Sequence, residues 1–160
     1  FSVKGRVEPV SVSDKLTLLI DYAHNGVSTE SILTTIREYK PKRIVTIFGC
    51  GGGRSKEIRQ ELGEISSLLS DLSIITCDNP RNDNLDDINK DSITGIKKHN
   101  GKYKIINDRL EAIKYALSNA KENDIILILG KGHENYQEIK NKKYYFNELE
   151  IIKEWIDNNA

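Results

Sequence analysis

Residues 74–84 read IITCDNPRNDN, an apolar run that ends abruptly in a polar loop. Pro80 stops the strand that the apolar run predicts, and it keeps Asn79 out of helical geometry. Asp78 and Arg81 are therefore held on one short loop after a strand, with a helix expected to begin soon afterwards.

This loop brings a carboxylate, an amide and a guanidinium together. Arg81 can bind a carboxylate through two parallel hydrogen bonds, and Asp78 can bind an ammonium group or orient the arginine. The loop is thus a candidate site for a zwitterionic ligand. Taken alone, it is more typical of a capped turn whose arginine is merely solvated.

Apolar strand-like runs alternate with helical periodicity along the rest of the chain. The predicted strands are residues 16–20, 43–48, 72–77, 103–106 and 124–129. The N-cap candidates of the predicted helices are Ser28, Asp83 or Asn84, Asp108 and Asn147. This alternation predicts right-handed βαβ units, and hence an α/β, Rossmann-like three-layer domain with a mostly parallel sheet.

Antiparallel elements are expected near both ends of the chain. Residues 1–14 alternate apolar and polar side chains, which predicts an extended leading segment from a preceding domain, forming an edge strand. Residues 136–139 and 143–146 flank Asn141 and predict a hairpin at a sheet edge. Because the sequence shows no repeat or internal linker, we expect residues 1–160 to form a single domain.

Four chemically unusual loops each follow a predicted strand directly. They are residues 21–26, 49–54, 78–81 and 130–134. The carboxyl ends of parallel strands meet at one edge of an open sheet, and ligands bind there. Four such loops at one edge favour a ligand-binding site over four unrelated turns.

The second of these loops contains the run Gly51-Gly52-Gly53 followed by Arg54. Glycines let backbone N–H groups approach an anion closely at the start of a helix. The run matches neither common phosphate-loop pattern, and it is also typical of a tight turn. Arg54 is a candidate for binding a carboxylate or a phosphate.

Two other loops offer polar and aromatic groups. Asp21 can accept hydrogen bonds from ribose hydroxyls, with Tyr22 or His24 stacking on a base, although Tyr22 is as readily a core residue. The turn at residues 130–134 exposes Lys131 and His133, and its Glu134 can bind an ammonium group.

The composition limits the classes of function. Lys+Arg and Asp+Glu both number 24, so no net charge attracts nucleic acid or an anionic membrane. The sequence has no apolar run of membrane-spanning length and no signal-peptide pattern. Cys50 and Cys77 do not form a CxxC pair, which favours buried, reduced thiols in a cytosolic protein. The chain begins at Phe1 and contains no Met, so we expect a piece of a longer polypeptide.

Six motifs occur in the order and approximate spacing of one known family. They are Gly5-Arg6-Val7-Glu8, Asp21-Tyr22-Ala23-His24, Phe48-Gly49-Cys50-Gly51-Gly52, Asp78-Asn79-Pro80-Arg81, Asp108-Arg109 with Glu111-Ala112-Ile113, and Gly130-Lys131-Gly132-His133-Glu134. Over nearly the whole chain these motifs resemble the C-terminal domain of Mur ligases, and most of all the branch that adds meso-diaminopimelate.

The resemblance implies a cytoplasmic enzyme of peptidoglycan precursor synthesis that uses ATP and Mg²⁺. Enzymes of this family activate a peptide carboxylate as an acyl phosphate, which the amine of an incoming amino acid then attacks. In this branch meso-diaminopimelate is joined to the UDP-sugar peptide UDP-N-acetylmuramoyl-L-alanyl-D-glutamate. The C-terminal domain presents the amino acid, whereas a central domain holds the phosphates and the metal. We therefore expect no catalytic or metal-binding residue in this chain, and no activity of the chain alone.

The resemblance also assigns binding residues. It places the amino acid against one set of residues: Arg54, Asp78, Asn79, Pro80, Arg81, Gly130 and Glu134. It places the nucleotide against a second set: Arg6, Asp21, Tyr22, His24 and Asn25. The amino-acid set agrees with charge logic, because two carboxylates need arginines and a lysine substrate would leave a buried Arg81 unpaired.

Two alternatives stay open at the level of the sequence. The same ligase plan could add lysine, lanthionine or glutamate, and Asn25-Gly26 is similar to the related folylpolyglutamate synthetases. The chain could also be a stand-alone module that binds a nucleotide or an amino acid, since it contains no Walker A sequence.

Overall fold

The computed structural model describes residues 8–13, 16–131 and 134–159, so the predicted nucleotide residue Arg6 lies outside the described residues. The main sheet consists of β1 (Glu8–Ser13), β2 (Leu16–Asp21), β3 (Arg43–Phe48), β4 (Leu72–Ile75), β5 (Tyr103–Ile105) and β6 (Asp124–Leu129). Their spatial order is β1-β2-β6-β3-β4-β5. β1 pairs antiparallel with β2 and the other strands are parallel, which confirms the mostly parallel sheet with an antiparallel edge strand.

The described residues form five helices in two layers. They are α1 (Gly26–Glu38), α2 (Lys56–Leu69), α3 (Leu85–Lys97), α4 (Arg109–Ser118) and α5 (Glu148–Asn159). The first three connect strands that step in one direction along the sheet, whereas α4 returns to β6, which lies between β2 and β3. Because such crossovers are right-handed, the reversed direction places α4 on the opposite face, and the three-layer α/β architecture results.

The core lies on both faces of the sheet. In β6 every residue is buried, and successive side chains of a strand point to opposite faces. Leu127 therefore belongs to the same core cluster as Leu62 of α2 and Ile96 of α3, whereas its neighbour Ile126 belongs to the cluster on the other face, with Ile113 of α4. This double burial explains why β6 reads as an unbroken apolar run.

The helix starts differ from the sequence prediction in one place. Asn25, not Ser28, caps α1, because the helix begins earlier and the Asn25 Oδ1 accepts hydrogen bonds from the Ser28 N–H and hydroxyl at 2.9 Å. Of the two candidates for α3, Asn84 is the cap. The caps at Asp108 and Asn147 are confirmed.

The predicted hairpin is present but does not extend the main sheet. Its strands β7 (Tyr136–Ile139) and β8 (Lys142–Tyr145) form a separate antiparallel pair. The hairpin is fastened to the loop after β4, since the Arg81 N–H donates to the Glu138 carbonyl at 3.1 Å and the Lys140 N–H donates to the Arg81 carbonyl at 2.7 Å. It thus lies beside the candidate loops. Among the described helices, none has the length and apolar character needed to cross a membrane.

Candidate functional site

The loops after β2, β3, β4 and β6 enclose a narrow cavity of about 40 Å³ at one edge of the sheet. This volume holds roughly three water molecules. The predicted site residues that line it are Tyr22, His24, Arg54, Asp78, Asn79, Arg81, Gly130 and Glu134. The fold therefore brings the four loops together as the sequence predicts.

Arg81 is held in place and still has donors to offer. Its backbone has a φ of 54°, in the left-handed region that residues other than glycine rarely adopt. Nη1 donates to the Gly52 carbonyl at 3.1 Å and the Asn79 carbonyl at 3.4 Å, while Nε lies 3.6 Å from Oε2 of Glu138. Nη2 makes no hydrogen bond to a described residue, and the side chain is 44% exposed, so Arg81 is not the buried residue that the charge argument against lysine assumed. A guanidinium edge is therefore available to a ligand.

Arg54 and Glu134 supply further charges at the cavity. Arg54 is exposed and makes no hydrogen bond or ion pair with any residue that the structure describes. Glu134 accepts a hydrogen bond from the Tyr136 hydroxyl at 3.0 Å, and this bond and the carboxylate charge raise the pKa of Tyr136. Gly130, with a φ of 107°, passes so close to Asp78 that a β-carbon would lie 3.3 Å from the carboxylate. The cavity thus combines two guanidiniums with two carboxylates.

Asp78 has an internal partner, which corrects the sequence interpretation of Lys131. Lys131 was expected on an open turn, but it is fully buried, and its Nζ lies 3.3 Å from Asp78 Oδ1. The same ammonium donates to Asn79 Oδ1 at 3.0 Å and to the Tyr136 carbonyl at 2.8 Å. Burial lowers the pKa of Lys131, and the charge of Asp78 opposes that shift. Asp78 makes no hydrogen bond to Arg81, so it does not orient that arginine.

Asn79 and Pro80 fasten the loop to its surroundings. The Asn79 Oδ1 accepts a hydrogen bond from the Glu138 N–H at 2.8 Å, and its carbonyl accepts one from the Gly52 N–H at 2.7 Å. The Pro80 carbonyl accepts a hydrogen bond from the Asp83 N–H at 2.9 Å and closes a turn. These contacts are structural, and ligand binding by the two residues stays a prediction.

The glycine run is a tight turn in which the amides of Gly52 and Gly53 are already used, so the anion-loop interpretation is wrong for these two groups. The Gly52 N–H donates to the Asn79 carbonyl, and the Gly53 N–H donates to Oδ2 of Asp83 at 2.8 Å. Arg59 also donates to that oxygen at 2.8 Å. The bond from Gly53, followed by that from Arg59, lowers the pKa of Asp83. An internal carboxylate thus occupies the position that the sequence assigned to a phosphate.

Arg109 and Glu148, two buried side chains whose roles sequence reasoning missed, form an ion pair beside the strand ends. Arg109 Nε donates to Glu148 Oε2 at 2.7 Å, and its other nitrogens donate to the carbonyls of Cys77 and Leu129. Burial alone would lower the pKa of Arg109, but the carboxylates nearby, Glu148 foremost, raise it overall. Gln137 donates to the Cys77 carbonyl at 3.3 Å. Arg109 belongs to a recognisable motif, whereas Glu148, 39 positions away, carries no local signal.

The predicted nucleotide residues are only partly at the cavity. Tyr22 and His24 form an edge-to-face pair with ring centroids 5.4 Å apart, and Tyr22 is 37% exposed rather than part of the core. Asp21 is buried, its Oδ2 accepts a hydrogen bond from the Ala23 N–H at 3.0 Å, and it does not line the cavity. The Asn25 side chain caps α1. Nucleotide binding by these residues stays a prediction.

The two cysteines are buried and protonated rather than reactive, and the described acidic residues do not cluster into a metal-binding centre. Cys50 and Cys77 are free and buried, and burial raises the pKa of each thiol to about 11. Both are therefore neutral near pH 7 and poorly nucleophilic. Within residues 8–13, 16–131 and 134–159, no group of three or more His, Cys, Asp or Glu side chains could hold a metal ion.

A larger groove of about 770 Å³ lies between α4, α5 and the hairpin. Phe146 and Trp155 form part of its wall, together with the carboxylates of Glu150 and Glu154. Its described lining contains one cation, Lys114, among several carboxylates, but no arginine and none of the predicted site residues. Recognition of a carboxylate is therefore better served by the smaller cavity.

Comparisons with known proteins establish the family and the fold of the chain. Residues 5–132 match the family of the Mur ligase, glutamate ligase domain, so the chain belongs to the Mur ligases and forms their C-terminal domain. It is similar to UDP-N-acetylmuramoyl-L-alanyl-D-glutamate–2,6-diaminopimelate ligase 1 of Clostridium acetobutylicum, with 46% identity over 97% of this chain and 32% of that protein. The ligase of the same kind from Alkaliphilus oremlandii is 47% identical over 95% of this chain and 31% of its own length. The chain thus spans about a third of the length of the curated relatives it matches.

Solved structures confirm the fold. A structure of a UDP-N-acetylmuramoyl-L-alanyl-D-glutamate–2,6-diaminopimelate ligase superposes with a TM-score of 0.91 and 31% identity, over 99% of this chain and 32% of that chain. A bifunctional folylpolyglutamate synthase/dihydrofolate synthase, described with Mn, AMPPNP and L-glutamate bound, superposes with a TM-score of 0.59 and 18% identity over 83% of this chain and 30% of that chain. The second likeness is one of fold alone.

Proposed function

We propose that this domain presents meso-diaminopimelate within an ATP-dependent ligase that extends UDP-N-acetylmuramoyl-L-alanyl-D-glutamate in peptidoglycan precursor synthesis. The similarity to ligases named for this reaction supports the substrates. The observation that carries the proposal is the presence of Arg54 and Arg81 at one narrow cavity, with Glu134 beside them.

The charges of this cavity match those of the proposed amino acid. meso-Diaminopimelate has two carboxylates and two amino groups, so the two guanidiniums pair with carboxylates and Glu134 binds an ammonium. Asp78 contributes less to the ammonium than its sequence motif suggests, because Lys131 already neutralises it. The cavity must also widen to admit the ligand, and the exposed side chain of Arg54, which makes no hydrogen bond to a described residue, is free to move.

The reaction joins one amino group of the amino acid to an activated carboxyl group. The unprotonated amine attacks the acyl phosphate, a C–N bond forms, the C–O bond to phosphate breaks, and the amine releases a proton. ATP supplies the transferred phosphoryl group. In this chain Tyr22 and His24 would contact the nucleotide base and Asp21 the ribose. Among the described residues no group of three or more His, Cys, Asp or Glu side chains could hold Mg²⁺, so we leave the metal to other parts of the complete enzyme.

We place this ligase in the cytoplasm, where ATP and the UDP-sugar peptide are made. The domain acts by binding and orienting its amino acid, with the phosphates and the metal held by other parts of the complete enzyme. The 160-residue chain alone is therefore expected to be inactive.

The test compares amino acids in the complete ligase that contains this domain. Arg81→Ala should lower kcat/KM for meso-diaminopimelate by about a hundredfold, because two charge-assisted hydrogen bonds to the distal carboxylate are lost. L-Lysine lacks that carboxylate, so its kcat/KM should not fall. Arg37→Ala is the control, since Arg37 forms a half-exposed ion pair with Asp71 outside the cavity. An unchanged ratio of the two kcat/KM values in Arg81→Ala would refute the assignment.

A further inference from the structure

We infer that the Glu138 carboxylate competes with the distal carboxylate of the amino acid for Arg81. Glu138 thereby controls how strongly the site prefers an amino acid that has this carboxylate. The inference rests on the proposed function and deepens it. It assigns to a hairpin residue outside the six sequence motifs a role in specificity.

Backbone contacts fix Glu138 beside the guanidinium. Its N–H donates to the Asn79 side chain at 2.8 Å, and its carbonyl accepts the Arg81 N–H at 3.1 Å. A parallel β-bridge between Arg81 and Ile139 adds to this attachment. The carboxylate therefore stays near Arg81 although the ion pair itself is loose, with Oε2 3.6 Å from Nε.

The position of Glu138 decides which donors of Arg81 a ligand can use. Nη1 already donates to two carbonyls, and the Nε side of the guanidinium faces Glu138. A carboxylate that binds Arg81 through two parallel hydrogen bonds along the Nε–Nη2 edge must displace the Glu138 carboxylate. Both side chains are partly shielded from water, at 44% and 25% exposure, so repulsion between Glu138 and the ligand is not fully screened.

Glu138 also affects a ligand that lacks the distal carboxylate. With Glu138 present, Arg81 keeps a counter-charge when no ligand carboxylate arrives, and an ammonium group nearby is tolerated better. Without that counter-charge, the unpaired guanidinium repels an ammonium. Glu138 thus weakens binding of the dicarboxylate and relaxes discrimination against a lysine-like amino acid.

Steady-state kinetics of Glu138→Gln in the complete ligase test this inference, with meso-diaminopimelate and L-lysine as the probes. KM for meso-diaminopimelate should fall by roughly threefold to tenfold, the effect of removing one nearby like charge. KM for lysine should rise, while kcat for each amino acid changes little. Glu138→Asp, which keeps the charge, should stay closer to the wild type.

The control is Glu38→Gln, which removes the same charge at the C-terminal end of α1, at the opposite edge of the sheet from the cavity. It should leave both KM values unchanged. A rise in KM for meso-diaminopimelate in Glu138→Gln would mean that Glu138 positions Arg81 rather than competing for it, and unchanged KM values would mean that it does neither; either result overturns the inference. If the wild-type enzyme itself shows no preference for meso-diaminopimelate, the proposed function fails as well, so the two failures are distinguishable.

Discussion

Nζ of Lys131 lies 3.3 Å from Oδ1 of Asp78, and the lysine side chain is fully buried. An ammonium from the protein itself therefore neutralises the carboxylate that the sequence assigns to a ligand. Removing one partner of a buried ion pair leaves the other charge uncompensated, which costs about 3–5 kcal/mol.

Lys131→Met should accordingly lower the free energy of unfolding of the chain by about 3–5 kcal/mol, measured by urea denaturation. The double variant Lys131→Met with Asp78→Asn should recover part of this loss, since it removes the remaining charge. Lys98→Met is the matched control, because Lys98 pairs with Glu64 at the surface. Its loss should lower the free energy of unfolding by less than about 1 kcal/mol. A small effect of Lys131→Met would contradict the buried-pair interpretation.

The Arg109–Glu148 pair predicts a second large loss of stability. Both side chains are almost completely buried, so Glu148→Gln leaves an uncompensated guanidinium and should lower the melting temperature by roughly 6–20 °C. Glu150 lies on the same helix, and Glu150→Gln removes only an exposed hydrogen bond with Tyr145. This control should therefore change the melting temperature little. Similar melting temperatures for the two variants, measured by circular dichroism, would count against the pair.

Two neighbouring glycines should respond differently to alanine. A β-carbon on Gly52 would lie 2.0 Å from the Pro80 carbonyl oxygen, so Gly52→Ala must displace the loop that carries Arg81 and should raise KM for the amino acid in the complete ligase. Gly53 has open space around it and a φ of 77°, so Gly53→Ala should lose only about 1–2 kcal/mol of stability. Equal KM values in the two variants would show that the contact with Pro80 does not position the loop.

The raised pKa of the Cys50 thiol should make the stability of the domain depend on pH. Burial raises the pKa of this thiol from 9.0 to about 11, so above pH 9 the unfolded thiol ionises while the folded one stays protonated. The contribution of the buried thiol to the free energy of unfolding is therefore complete below pH 9 and is lost as the pH rises towards 11. The free energy of unfolding of the wild type relative to Cys50→Ala should fall by roughly 2–3 kcal/mol between pH 8 and pH 11. Parallel curves for the two proteins in urea denaturation at these pH values would exclude the effect.

Local sequence patterns were sufficient to predict the alternation of strands and helices that forms the domain. The strands at residues 43–48 and 124–129 have the predicted bounds, because each is an apolar run rich in β-branched side chains between turn-forming neighbours. The gathering of four loops at one edge followed from the parallel direction of the strands. Arg54 and Arg81 could be placed at one edge of the sheet on that basis, whereas their assignment to one amino-acid site came from the family resemblance.

Only the tertiary structure decided how the charges of the site are paired. Lys131 with Asp78, Glu138 with Arg81 and Asp83 with the Gly53 N–H all join residues 30 or more positions apart. A sequence pattern reflects the preferences of a few consecutive residues, so it predicts where a strand ends and a loop begins. Whether a charged side chain on that loop is solvated, buried with an internal partner or open to a ligand depends on which distant groups the completed fold brings within about 4 Å, where electrostatic and hydrogen-bonding interactions are strong.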